Sequence, residues 1–204
     1  ITGLEIASMI GAGLAKAAIA FEVNGEQRDL SDAVSEDSSI SIFTIDSKEG
    51  LEIMRHTVAA QVLARAIKNL YPSAKLAIGP TIDDGFYYDF LSDKTVSIDD
   101  LPKIEKEMEK IIASNSIINK TIHSKEDVMS AFAVIDEPYK VKIIEDSTQD
   151  SNFQIYNQGD TGFIDLCRGP HLPSLEKVGA FKLTKTSGAY WKGDASNEML
   201  TRIY

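Results

Sequence analysis

Asp165, Cys167 and His171 lie in the run Ile164-Asp165-Leu166-Cys167-Arg168-Gly169-Pro170-His171, which holds the only cysteine of the chain four residues before one of its three histidines. A carboxylate, a thiol and an imidazole are the side chains that hold a water, move its proton or line a polar pocket. Gly169 and Pro170 force a turn between them, and a turn is what brings such groups together. The competing reading is a buried, unreactive cysteine beside a satisfied histidine, because a free thiol packs as a small hydrophobe.

The elements that must position this turn follow from periodicity. Apolar residues recur at 51, 54, 58, 62, 63, 66, 67 and 70, which predicts a long helix with one buried face, stopped by Pro72. Before it, Leu4, Ile6, Met9 and Ile10 suit a short amphipathic helix that Gly11 and Gly13 weaken. Residues 18–23 read as a strand leading into Asn24-Gly25, a strong hairpin signal, and 39–45 as another strand. Residues 46–50 (Asp-Ser-Lys-Glu-Gly) read as a polar hinge between residues 1–46 and 47–204. Beyond the long helix, strands are predicted at 75–78, 86–90, 153–156, 163–166 and 181–185. Helices are predicted from Pro102 to about 115, from a Ser124 cap, and at 196–204. Strands and helices in irregular order indicate an α+β fold with antiparallel pairing.

Composition narrows the class. With 204 residues, 43% hydrophobic and 25% charged, the chain can bury a core, and no apolar run is long enough to span a membrane. One cysteine excludes an internal disulfide and fits a reducing, cytoplasmic setting. The net charge of −10 opposes bulk attraction to nucleic acid but permits a local basic face. Residues 167–204 offer one: six Lys/Arg against three Asp/Glu, with Tyr190 and Trp191 beside Lys192. A solvated surface is the simpler account of those charges.

Three segments carry a resemblance: Ile78-Gly79-Pro80-Thr81-Ile82-Asp83-Asp84-Gly85-Phe86-Tyr87-Tyr88-Asp89, the Asp165-to-His171 turn, and Ser187-Gly188-Ala189-Tyr190-Trp191-Lys192-Gly193-Asp194. Together they resemble bacterial threonyl-tRNA synthetases, in the amino-terminal part of that family and over essentially the whole chain. The resemblance implies a small β-grasp (TGS) domain over 1–46, lacking its first strands, and a tRNA editing domain over 47–204. The synthetic core, with its ATP, magnesium and zinc, would then begin beyond Tyr204, leaving no cofactor in this part. The implied partners are the acceptor end of tRNA(Thr), the remainder of the synthetase and, for the parent, a second copy in a homodimer. The implied activity is hydrolysis of serine wrongly attached to tRNA(Thr). A methyl group separates serine from threonine and is worth only ~1–3 kcal/mol to the synthetic pocket, so a second pocket must correct the errors.

By position in those motifs, Lys140 (in Pro138-Tyr139-Lys140), Asp165, Cys167, His171 and His56 are the implied catalytic residues, with Tyr88, Thr57 and Gln61 lining the substrate. The family places two histidines at i and i+4 on the long helix, facing the pocket. Here, counted forward, His56 is followed by Ala60; counted back from Pro72, Thr57 and Gln61 take the two places, so the helix holds one extra residue and lacks the second histidine. A π-bulge would absorb that residue and restore His56 to the pocket, with Gln61 keeping a hydrogen-bonding role. A helix starting after His56 would do the same. The lost histidine leaves His56, Cys167 and His171 one short of the zinc set of related alanyl-tRNA editing domains, so no metal is expected. It also opens an alternative: a tRNA-binding module whose hydrolysis is weakened or lost.

Overall fold

The computed structural model describes all residues, 1–204. Thr2 caps a short helix, α1 (Gly3–Ile10), by a reciprocal box with Glu5, and Gly11 breaks it before α2 (Ala12–Ala17). The chain then enters β1 (Ala18–Val23), turns at Asn24 and Gly25, both at positive φ, and returns as β2 (Glu26–Asp29). With β3 (Ile40–Thr44) these make an antiparallel sheet in the order β2-β1-β3. Ala7, Ala18, Phe21, Val23 and Leu30 form its small core.

Residues 46–50 are only partly a hinge. Ser47 caps α3 (Lys48–Thr57) by accepting the Gly50 N–H at 2.9 Å, so Lys48, Glu49 and Gly50 are already helical. The cap contributes about 1 kcal/mol. The helix continues as a π-helical segment, Val58–Leu63, and then as α4 (Ala64–Leu70), ending before Pro72. All six residues of this segment are buried.

Around this helix the rest of the chain is built from antiparallel pairs. The strands β4 (Lys75–Leu76), β5 (Thr81–Ile82), β6 (Gly85–Phe86) and β7 (Tyr88–Leu91) come next. The helix α5 (Leu101–Ala113) follows and buries Leu101, Ile104, Met108 and Ile111 against the long helix. Then come β8 (Ile118–His123), α6 (Lys125–Val134), α7 (Pro138–Asp146), β9 (Phe153–Gln158) and β10 (Ile164–Leu166). The chain closes with β11 (Thr186–Tyr190) and β12 (Met199–Ile203). The sheets are β10-β9-β8 and β11-β12-β7-β4, with β5 and β6 as a separate hairpin. The fold is thus a mixture of helices and antiparallel sheets, and no helix is long and apolar enough to cross a membrane.

Two predicted elements are corrected. Residues 196–204 do not form a helix: Met199–Ile203 is a strand between β11 and β7, fastened by a two-pronged Arg202–Asp89 pair at 2.7 and 2.8 Å. Residues 181–185 are irregular, and the strand begins at Thr186. The helix α7, which carries Lys140, and the strand β8 are additions that the sequence reading did not include.

Candidate active site

The end of α3, the helix α7, the strand β7 and the turn after β10 meet at one cluster. Asp165 on β10 and Cys167 just past it point to the same side, as alternate residues of an extended chain do. The Cys167 N–H continues the ladder by donating to the Gln154 carbonyl. The turn follows, with a cis Gly169–Pro170 bond. Gly169 has φ +65 and a Cβ there would lie 1.9 Å from the Tyr156 hydroxyl, so both conformation and space demand glycine. His171 comes next and is buried, 1% exposed.

Two sub-sites result. In the first, His56 Nε2 lies 2.8 Å from Cys167 Sγ, which also accepts the Gly169 N–H at 3.2 Å. The His56 ring stacks on His171 at 4.7 Å with 7° between planes. The π-helical segment follows directly on His56 and Thr57, and His56 faces the cluster as the π-bulge reading expected. His56 and Cys167 are half-buried and form the mouth of the cluster, with the deeper groups behind them. Burial, partly opposed by the Asp165 carboxylate, holds the His56 imidazole below its ordinary pKa and keeps it neutral.

The second sub-site is nearly closed. Lys140 Nζ pairs with Asp165 Oδ1 at 2.7 Å, with the two side chains 5% and 2% exposed. Oδ1 also accepts the Leu166 N–H, so Oδ2 remains open to a donor. Burial pushes the Asp165 carboxyl above the usual range, against the pull of Lys140. Tyr88 is fully buried, 5.8 Å from Lys140 Nζ to the ring centre, and its hydroxyl has no partner. Gly79 makes room for it: a Cβ there would meet the Tyr88 ring at 2.2 Å. Next to Lys140, Glu137 is anchored to Lys68 at 2.7 Å and to the Leu76 N–H, which ties α7 to β4.

Hydrogen-bond accounting assigns the protons on His171. The Thr57 hydroxyl has one proton, and the Ile53 carbonyl at 2.8 Å can only accept. Thr57 Oγ1 must therefore accept from its other neighbours, the Leu172 N–H at 3.0 Å and His171 Nδ1 at 3.1 Å. This places a proton on Nδ1, so that in the neutral tautomer the lone pair is on Nε2. That atom is buried and has no partner in the chain.

Of the predicted site residues, His56, Thr57, Lys140, Asp165, Cys167, His171 and Tyr88 are brought together. Gln61 is turned elsewhere: it is fully buried, and its side-chain and backbone oxygens accept from Gln158 Nε2, which Arg65 holds in turn. Its basicity-free role is in the core. Two further residues touch the cluster, Asp29 on β2 and Tyr156 on β9. Partners this distant in sequence leave no local signal.

The donor set also bears on metals. His56, Cys167 and His171 each offer an atom, all within 4.8 Å of one another. Two ligands on one tetrahedral zinc would stand roughly 3.5 Å apart, from bonds of about 2.0 and 2.3 Å. The His56–Cys167 contact at 2.8 Å is closer than that and is a hydrogen-bonding contact.

Comparison with known proteins adds the following. Residues 154–204, which include Asp165, Cys167 and His171, match the family described as the threonyl and alanyl tRNA synthetase second additional domain. The whole chain is 46% identical to threonine–tRNA ligase from Acidithiobacillus ferrooxidans and to that from Clostridium novyi, and 47% identical to that from Acetivibrio thermocellus. It spans about a third of their length, 31% of the first and 32% of the other two.

Proposed function

We propose that this chain, homologous over its whole length to part of threonine–tRNA ligases, is the editing region of such a ligase, with an esterase site that releases serine from tRNA(Thr). The observation that carries this reading is the unpartnered, buried Nε2 of His171 beside the half-buried His56 and Cys167. A buried lone pair held in place by Thr57 at the far side of the ring suits a general base. A water seated there is deprotonated by Nε2 as its oxygen bonds to the seryl carbonyl carbon. The bond from that carbon to the terminal ribose oxygen then breaks, and the imidazolium returns the proton to the departing hydroxyl. The Lys140 ammonium faces the oxyanion, and the open Oδ2 of Asp165 receives the serine ammonium. His56 and Cys167 hold the water from the mouth side. No step requires a metal.

The tightness of the cluster supports a sieve for small substrates. Lys140, Asp165 and Tyr88 are all deeply buried, and serine differs from threonine by one methyl that a closely packed site can refuse. Residues 1–46 are read as the β-grasp (TGS) domain and 47–204 as the editing domain. The β2-β1-β3 sheet packed under α1 supports the first assignment. The tRNA acceptor end, the rest of the synthetase, a homodimeric parent and a cytoplasmic setting belong to the same proposal.

A second reading, a tRNA-binding module without hydrolysis, is favoured by one fact: the long helix contributes a single histidine, His56, since the oxygens of Gln61 accept from Gln158. Seryl-tRNA(Thr) incubated with the chain and with His171→Ala separates the two. Serine release by the parent that His171→Ala abolishes, with tRNA binding kept, supports editing. Binding by both without release supports the module.

A further inference from the structure

We infer that Asp29, on β2 of the amino-terminal sheet, is a positioning residue for His171, so that the small unit completes the site. The inference rests on the proposed esterase reading for its meaning and on the geometry for its content. Asp29 is 8% exposed. Its Oδ1 accepts the backbone N–H of His171 at 2.9 Å, and its Oδ2 accepts the Tyr156 hydroxyl at 2.7 Å. The Tyr156 ring in turn meets the His171 imidazole edge-on, 4.4 Å between centres at 85°. One carboxylate therefore holds both the main chain under the imidazole and the aromatic wall beside it.

The other restraints on His171 come from the second unit: Thr57 at Nδ1 and His56 against the ring face. Asp29 supplies the one polar restraint that crosses from the first. It is held by Lys120, whose Nζ lies 2.9 Å from Asp29 Oδ2 and also pairs with Asp32. Asp32 shares this lysine and accepts the Asp29 N–H at 3.2 Å but makes no contact with His171 or Tyr156, so its loss loosens Asp29 without removing the carboxylate that holds the imidazole. An apolar seam runs alongside, where Ile19, Ala20 and Phe43 of the first unit pack with Ile53 and Leu172. Leu172 directly follows His171, and Ile53 supplies the carbonyl that orients Thr57.

Removing the carboxylate frees the turn to shift, and a displacement of about 1 Å in a reacting group costs on the order of 100-fold. Asp29→Ala is therefore expected to lower kcat for seryl-tRNA(Thr) by about 100-fold with KM within about twofold. Asp29→Asn keeps an oxygen for the His171 N–H and is expected to recover most of the rate. Asp32→Ala leaves the Asp29 carboxylate in place and should lose clearly less than Asp29→Ala. A second readout is proton NMR of the imidazoles, in which the hydrogen-bonded Nδ1 proton of His171 exchanges slowly in the parent. It should broaden or vanish in Asp29→Ala and persist in Asp32→Ala. Equal losses in Asp29→Ala and Asp32→Ala, or an Asp29→Ala protein with the parent's kcat, would overturn the inference. If the parent releases no serine, the esterase reading fails, while the NMR arm still decides the matter: an unchanged Nδ1 signal in Asp29→Ala refutes the positioning role.

Discussion

Replacing Thr57 by valine tests the proton assignment on which the proposed chemistry turns. Valine matches threonine in shape but offers no acceptor, so the Leu172 N–H and His171 Nδ1–H both lose the oxygen they now share at 3.0 and 3.1 Å. A buried N–H left unsatisfied costs about 1–3 kcal/mol. Leu172 has no alternative and bears that cost in full. His171 can escape part of it by moving its proton to Nε2, but this consumes the lone pair that receives a proton from water. The expected result is a stability loss of about 2–3 kcal/mol, read as a lower midpoint in urea at unchanged slope. Serine release should also fall by roughly 100-fold or more, the value of a positioned base. Thr57→Ser retains the oxygen and should lie close to the parent in both measures. Thr57→Val with parental stability and parental deacylation would refute the assignment of the Nε2 lone pair.

Other outcomes follow from the same geometry. Lys140→Met strands Asp165 in a nearly closed site, and breaking one side of a buried pair costs about 3–5 kcal/mol; the double change Lys140→Met, Asp165→Leu should regain part of it in urea denaturation. Gly169→Ala puts a Cβ 1.9 Å from the Tyr156 hydroxyl at φ +65, which should lower the melting temperature by several degrees and displace His171. The pKa of His56 is lowered on folding, so the unfolded chain binds more protons between that lowered value and 6.5. Stability contributed by neutral His56 is therefore present above pH about 6.5 and declines as pH falls through the folded pKa. A pH series of urea midpoints on the parent and His56→Gln should show the acid-side decline reduced in the variant.

Much of the site was legible in the sequence because it depends on local pattern. The stripe from Leu51 to Leu70 predicts the long helix, and Gly169-Pro170 predicts the turn that delivers His171. The spacing around His56 allows either a π-bulge or a helix that starts after His56, and the structure has the first, at Val58–Leu63. What escaped depends on partners. Residues 196–204 carry too few apolar positions to separate a helix from a strand, and pairing with β11 and β7 decides for the strand. The place of Gln61 on the helix suits a pocket role, yet its oxygens accept from Gln158 on β9. Asp29 reaches His171 across 142 positions of chain, and nothing in its neighbourhood announces the contact. The helix α7 begins at Pro138, a good first-turn residue, and its burial follows from Glu137 reaching Lys68 and Leu76.

The most direct test of the central claim is single-turnover hydrolysis of seryl-tRNA(Thr) and threonyl-tRNA(Thr) by the 204-residue chain, each measured against spontaneous loss in buffer. The chain is expected to strip serine well above the spontaneous rate and to leave threonine close to it. Equal loss of both amino acids, or no loss beyond buffer while the tRNA remains bound, would contradict that claim.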